Sequence, residues 1–144
     1  MEHYYTSDPG SEHRYREVQM DLDGRTLTFT TDSGVFSRDE VDFGTRLLVR
    51  SLPALSGRLL DVGCGWGALC LPLAMLNPGI RPVAVDVNRR ALELCRGNAK
   101  RLGVDAEIFE SNGFDAVEGM FDVIVTNPPI RAGKAIVSRV GFVK

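Results

Sequence analysis

Two acids and a glycine-rich turn carry the first chemical signal in the sequence. Leu59-Leu60-Asp61-Val62 is a short apolar run, and Gly63-Cys64-Gly65-Trp66-Gly67 follows it directly. Glycines between a strand and a helix let the backbone turn tightly and bring its N–H groups close to a ligand. A second apolar run, Pro82-Val83-Ala84-Val85, closes on Asp86, where a carboxylate can accept hydrogen bonds from a ribose diol. Together these features imply an adenosine-containing cofactor. With Ala68 the loop also satisfies the dinucleotide pattern GxGxxA, so NAD is the competing cofactor. Asp61 argues against it. A carboxylate two residues ahead of the first glycine suits an ammonium group, held directly or through water, and repels a pyrophosphate.

The third feature is Asn127-Pro128-Pro129-Ile130, which follows the apolar run Phe121-Asp122-Val123-Ile124-Val125-Thr126. Two consecutive prolines stiffen the backbone and remove two donors, and Pro128 biases Asn127 away from helical geometry. The Asn127 carboxamide oxygen and the Pro128 carbonyl can each accept a hydrogen bond, which matches the two N–H groups of an exocyclic amine. Ile130 can pack against a flat base. This set suits in-line transfer of a methyl group from the sulfonium of S-adenosylmethionine to an amine, with no metal and no covalent enzyme intermediate; alignment and acceptors for developing positive charge supply the rate. Arg131 and Lys134 follow the motif and are the expected phosphate contacts of a nucleic-acid substrate.

The elements that must position these groups read as an α/β fold. A hairpin is expected first: Glu17 to Leu22 alternates, Asp23-Gly24 turns, and Leu27 to Thr30 alternates again. A helix is expected from about Asp42 to Ser51, with Phe43, Leu47, Leu48 and Leu52 at helical spacing. Beyond Arg58 the pattern is strand, helix (Ala68–Leu76), strand, helix (Asn88-capped, to Leu102, closed by Gly103), strand (Ala106–Phe109), strand (Phe121–Thr126). Such alternation marks βαβ units and a parallel sheet. The strands are continuous apolar runs, as when helices cover both sheet faces. Ligands of open α/β sheets bind beyond the carboxyl ends of the strands, which is where the glycine loop, Asp86, Asn112 and Asn127 all fall.

Length bounds the chain to one domain: 144 residues, divided into a polar tail (1–14), the hairpin and first helix (15–57) and a cofactor-binding core (58–144). A hydrophobic fraction of 44% with 25% charged residues is that of an ordinary globular domain. No apolar run approaches the ~20 residues of a membrane helix, and a cytoplasmic location with no membrane contact is expected. Cys64, Cys70 and Cys95 form no CxxC pair and have no neighbouring histidine; reduced, buried thiols are expected, with no zinc site and no disulfide framework. The net charge of −2 does not mark the whole chain as nucleic-acid binding. Positive residues cluster locally, first at Arg89, Arg90, Arg96, Lys100 and Arg101, which read as a solvated helix face, then at Arg131, Lys134 and Arg139.

Leu60-Asp61-Val62-Gly63-Cys64-Gly65-Trp66-Gly67 resembles motif I of class I S-adenosylmethionine-dependent methyltransferases, Asp86 their motif II acid, and Asn127-Pro128-Pro129-Ile130 motif IV of the amino-methylating branch. Asp32-Ser33-Gly34-Val35-Phe36-Ser37 and Asp42-Phe43-Gly44-Thr45 are similar to the leading segment of small-subunit ribosomal RNA guanine-N2 methyltransferases. His3-Tyr4-Tyr5 and Ile130-Arg131-Ala132-Gly133-Lys134 resemble short stand-alone bacterial members of that group.

The resemblance implies a Rossmann-like fold with a mostly parallel sheet. It implies S-adenosylmethionine held by Asp61, Gly63, Cys64, Gly65, Asp86 and Val87, with Asn112 at the adenine. Asn127 completes that set, and with Pro128, Pro129 and Ile130 it forms the catalytic group. Phe36, Ser37 and Thr45 would close over the cofactor. The implied substrate is guanine N2 in ribosomal RNA. Asn-Pro-Pro also serves enzymes that methylate protein glutamine or DNA adenine; these, and an inactive cofactor-binding remnant, are the alternatives. The chain departs from the family in stopping early, two or three strands short. A truncated product is therefore expected, with a helix just beginning after Ile130. The strand ending at Thr126 would then be a bare edge open to self-association.

Overall fold

A computed structural model describes residues 14–32 and 54–126, and the backbone of 135–142. The expected polar tail up to residue 13, the helix at 42–51, the leading-segment residues Phe36, Ser37 and Thr45, and the motif residues 127–134 lie outside the described residues.

Strands β1 (Tyr15–Leu22) and β2 (Arg25–Asp32) form an antiparallel hairpin. Its turn places Asp23 and Gly24 at φ +48° and +76°; both central residues of a primed turn need positive φ, and Asp-Gly supplies them. The alternating pattern buries Val18, Met20, Leu22, Leu27 and Phe29 on one face.

The core is a five-stranded sheet ordered β5-β4-β3-β6-β7. It comprises β3 (Gly57–Val62), β4 (Ile80–Asp86), β5 (Glu107–Glu110), β6 (Gly119–Thr126) and β7 (Ala135–Phe142). Strands β3 to β6 are parallel, and β7 pairs antiparallel with β6. Helices α1 (Cys70–Leu76) and α2 (Arg89–Leu102) supply the crossovers. Leu59, Asp61, Ala84, Val123 and Val125 alternate with Leu60, Val83, Val85 and Ile124, so the strands bury both faces. The apolar members of the first set pack with α1, α2 and the hairpin, the second set with Val117 and Phe121.

The ends of α2 follow local chemistry. The Asn88 side chain accepts from the Ala91 N–H at 3.2 Å, satisfying one of the free donors of the first turn. Gly103 closes the helix at φ +72°, with its N–H on the last carbonyls. At the opposite end of the sheet, Arg58 donates from its backbone N–H to Asp122 Oδ2 (3.0 Å) and from Nη1 to the Met120 carbonyl (3.2 Å), with its guanidinium over the Phe121 ring.

Three sequence expectations are corrected. Helix α1 begins at Cys70 rather than Ala68. Gly67 sits at φ +98°, so turns of the glycine loop run on to Leu69 before the helix starts. The segment after Lys134 is a strand, not a beginning helix, and β6 is not a bare edge. Residues Gly119 to Thr126 pair with Phe142 to Ala135. Ile136, Val137, Val140 and Phe142 are β-branched or aromatic and suit a strand, and β6 supplies the N–H and C=O groups that such a strand needs.

Candidate active-site crevice

Parallel register brings four strand ends to one edge. Val62 pairs with Val85 on one side and Thr126 on the other, and Asp86 pairs with Glu110. The glycine loop, Asp86, the turn at Ser111 and the chain leading into Asn127 therefore leave the sheet side by side. The N–H groups of Gly63 and Cys64 both donate to the Val85 carbonyl, at 2.9 and 3.0 Å. Thr126 Oγ1 donates to the Val62 carbonyl at 3.2 Å. Asn127, Pro128, Pro129, Ile130, Arg131 and Lys134 lie outside the described residues, but the strand that delivers Asn127 ends beside the strand that delivers Gly63.

Asp86 is the hub of this edge. Oδ2 accepts from the Gly65 N–H at 2.9 Å and Oδ1 from the Asn88 N–H at 3.0 Å. Its backbone carbonyl accepts from the Ser111 N–H at 3.0 Å. Partial burial pushes its carboxyl pKa above the usual range, and the N–H groups of Asn88, Gly65 and Val87 pull it back. A carboxylate has about four lone-pair sites, so the two N–H groups within hydrogen-bond distance, on Gly65 and Asn88, leave room for a ligand diol. Val87, half-buried, follows directly.

The glycines of the loop differ in what they face. A Cβ at Gly67 would lie 2.5 Å from Leu71 Cδ1 and 3.3 Å from Cys95 Sγ, whereas one at Gly65 would meet nothing within 4 Å. Gly67 thus permits close packing on α1 and α2, while Gly65 is open on its outer side.

Asp61 lies beneath the loop, on the sheet face that α1 and α2 cover, and is 1% exposed. Neither carboxylate oxygen has a hydrogen-bond partner among the described residues. Burial is the largest cause that raises its pKa to about 7, and Cys95 adds to it. The neighbouring backbone and thiol of Cys70 pull the other way, although neither closes to hydrogen-bond geometry on the carboxylate. Cys64, Cys70 and Cys95 are free and buried around this acid. Hydrogen bonding with Cys95, then burial, pushes the Cys64 and Cys70 thiols up, which makes them inert packing groups. Among the described residues, no group of three His, Cys, Asp or Glu side chains could hold a metal, and no helix is long and apolar enough to cross a membrane.

Asn112 is exposed and opens the turn after β5, its carbonyl accepting from the Asp115 N–H at 3.2 Å. The cations of α2 are partly tied to their surroundings. Arg89 pairs with Glu110, Arg101 with Glu17 and Arg90 with the buried Asp32, and Arg96 donates to the Ile108 carbonyl. Sequence reasoning missed Ser111 and Asn98. Ser111 is buried, and its Oγ both donates to the Gly113 carbonyl and accepts from the Ala116 N–H, so it shapes the turn that carries Asn112. Asn98 had a readable signal: it occupies the apolar stripe formed by Ala91, Leu92, Leu94, Cys95 and Ala99.

The sheet order and this crevice define a class I S-adenosylmethionine-dependent methyltransferase fold. The chain matches the methyltransferase small domain family over residues 26–142, and it belongs to that family. It is 44% identical over 141 residues to the uncharacterized protein YbxB of Bacillus subtilis strain 168, covering 94% of this chain and 70% of that one. It is 43% identical over 117 residues to ribosomal RNA small subunit methyltransferase C of Salmonella agona, covering 81% of this chain and 34% of the relative. Among solved structures, it resembles the Thermus thermophilus 16S rRNA N2 G1207 methyltransferase (RsmC) in complex with AdoMet and guanosine. That match has a TM-score of 0.73 at 30% identity and covers 83% of this chain and 34% of the other. The chain therefore spans about a third of the length of these two ribosomal RNA methyltransferases.

Proposed function

We propose that the crevice binds S-adenosylmethionine and transfers its methyl group to an exocyclic base amine, guanine N2 of small-subunit ribosomal RNA, in the cytoplasm. The observation that carries this reading is convergence: the glycine loop, Asp86, buried Asp61 and the strand leading into Asn127 meet at one sheet edge. The relatives named above, one solved with AdoMet and guanosine, support the same substrate class.

The residues fit this cofactor on a ground of their own. Two carboxylate oxygens under a glycine loop with no partner among the described residues are a costly arrangement unless a cation completes them, and a methionyl ammonium is such a cation. Asp61 then holds the ammonium, directly or through water. Gly63, Cys64 and Gly65 line the methionine end, Asp86 takes the ribose hydroxyls, and Val87 and Asn112 border the adenine. When bound, the cofactor supplies an electrophilic methyl on a sulfonium. Asn127 and the Pro128 carbonyl accept the two N–H groups of the amine, so that its lone pair faces that methyl. Pro129 keeps this shelf stiff, and Ile130 covers the base. Arg131 and Lys134 contact phosphates.

The assay is methyl transfer by the whole chain from methyl-labelled S-adenosylmethionine to small ribosomal subunits, their naked RNA, duplex DNA and a protein fraction. Label is expected in RNA, in a product that ribonuclease releases. Label that survives ribonuclease and is removed by protease or deoxyribonuclease would overturn the RNA reading in favour of a protein amide or DNA adenine.

Cofactor affinity is also expected to depend on pH through Asp61. The folded chain raises this carboxyl from 3.8 to about 7, so the folded state carries an extra proton between those values. Its contribution to the stability of the free chain therefore falls as pH rises through that window. A bound ammonium reverses the preference because it needs the ionised form. Affinity is expected to fall about tenfold from pH 8 to pH 6, as the carboxylate protonates. Asp61→Asn should bind weakly at both pH values, with this slope removed. Calorimetric titration at the two values checks it, and a parent affinity independent of pH would show that Asp61 does not face the ammonium.

A further inference from the structure

We propose that Asn98, in the middle of α2, is a positioning residue that locks the glycine loop to the N-terminal hairpin and so presets the loop for the cofactor; the inference rests on the cofactor site proposed above. Asn98 is 1% exposed and lies on the apolar stripe of its helix. A buried carboxamide is costly there unless fully paired, and this one is. Oδ1 accepts from the Thr30 N–H at 2.8 Å, and Nδ2 donates to the Thr30 carbonyl at 3.0 Å. Nδ2 also donates to the Trp66 carbonyl at 2.8 Å.

The three bonds join two segments remote in sequence. The pair with Thr30 clasps β2 as a neighbouring strand would. The third bond reaches the middle of the glycine loop, between Gly65 and Gly67. The hairpin holds the same loop residue a second way: the Phe29 ring packs against the Trp66 indole, with centroids 5.1 Å apart and planes tilted by 56°. Trp66 is thus fixed by its carbonyl through Asn98 and by its ring through Phe29. An apolar residue at position 98 could fill the same space but could not orient a peptide group. Orienting the peptide after Trp66 matters because it continues the loop from Gly65, whose N–H Asp86 holds two peptide groups earlier. At one further point β2 meets α2, where Asp32 Oδ2 lies 3.8 Å from Arg90 Nε.

The test uses Asn98→Asp, which keeps size and the acceptor for Thr30 but loses both donors. Asn98→Ser is its uncharged counterpart, too short to reach both carbonyls. Asp122→Ala is the stability control; it removes the Arg58 contact at the far end of the sheet. Urea unfolding, S-adenosylmethionine affinity, KM and kcat, and the emission of Trp66, the only tryptophan of the chain, are measured where all variants are folded. For either Asn98 variant, Kd and KM for S-adenosylmethionine are expected to rise about tenfold, the equivalent of roughly one lost hydrogen bond. kcat at saturation should stay within about twofold, and Trp66 emission should shift to the red. Asp122→Ala should lose stability with parental Kd and emission. If Asn98→Asp fails to fold, Asn98→Ser decides. Parental affinity in the folded Asn98 variants, or an equal loss of affinity in Asp122→Ala, overturns the positioning role. Absence of binding by the parent chain would instead overturn the cofactor site itself.

Discussion

Asp86→Ala is expected to weaken S-adenosylmethionine binding by about 100-fold or more, the largest binding effect of any single substitution in this chain. Hydrogen bonds to a charged group contribute about 1.5–3 kcal/mol each, so two from a ribose diol account for at least that factor. The substitution also frees the Gly65 and Asn88 N–H groups, which Asp86 holds at 2.9 and 3.0 Å, so the loop loses its own anchor. Asp86→Asn separates the two effects. It keeps the size and one acceptor oxygen and is expected to retain part of the affinity, about tenfold below the parent. Calorimetry on folded variants reads both. A parental Kd for Asp86→Ala would place the adenosine elsewhere and end the assignment of this edge as its site.

Asn127→Ala should do the opposite: leave cofactor affinity within about twofold and lower methyl transfer by about 100- to 1000-fold, the usual effect of removing one preorganised polar group at a reacting centre. On the proposed reading the Asn127 carboxamide serves mainly the amine, so the loss is expected in kcat rather than in cofactor affinity. Asn127→Asp preserves an acceptor oxygen and should recover part of the rate. Single-turnover transfer to RNA, measured beside calorimetric binding, makes the distinction. If Asn127→Ala transfers methyl at the parental rate, the Asn-Pro-Pro shelf has no part in holding the amine.

Much of the fold is legible in the sequence. Asp23-Gly24 announced the hairpin turn because few residue pairs tolerate positive φ at both central positions. Asn88 and Gly103 marked the ends of α2 because capping is local chemistry. The apolar runs of β3, β4 and β6 fixed their direction as parallel strands, since crossover helices leave few other arrangements. The start of α1 was misplaced by two residues because the backbone state of Gly67 depends on its packing against Leu71 and Cys95. β7 was missed because a short β-branched segment becomes a strand only where a partner edge awaits it, and nothing within eight residues records that β6 supplies one.

By itself, the sequence determined the local devices of this domain: turn, caps, strand runs, glycine loop, and the two acids, one closing a strand and one two residues before the glycine bend. Each depends on dihedral preference or on hydrogen bonds within a few residues, so neighbours in the chain suffice to specify it. Tertiary structure alone decided that Asp61 is buried beside three thiols with no hydrogen-bond partner among the described residues, that Asp86 turns back to hold Gly65, and that Asn98 ties Thr30 to Trp66 across 68 and 32 residues of chain. Desolvation and long-range pairing arise from the packing of whole elements, and no window of sequence encodes which distant group will stand opposite a buried polar atom.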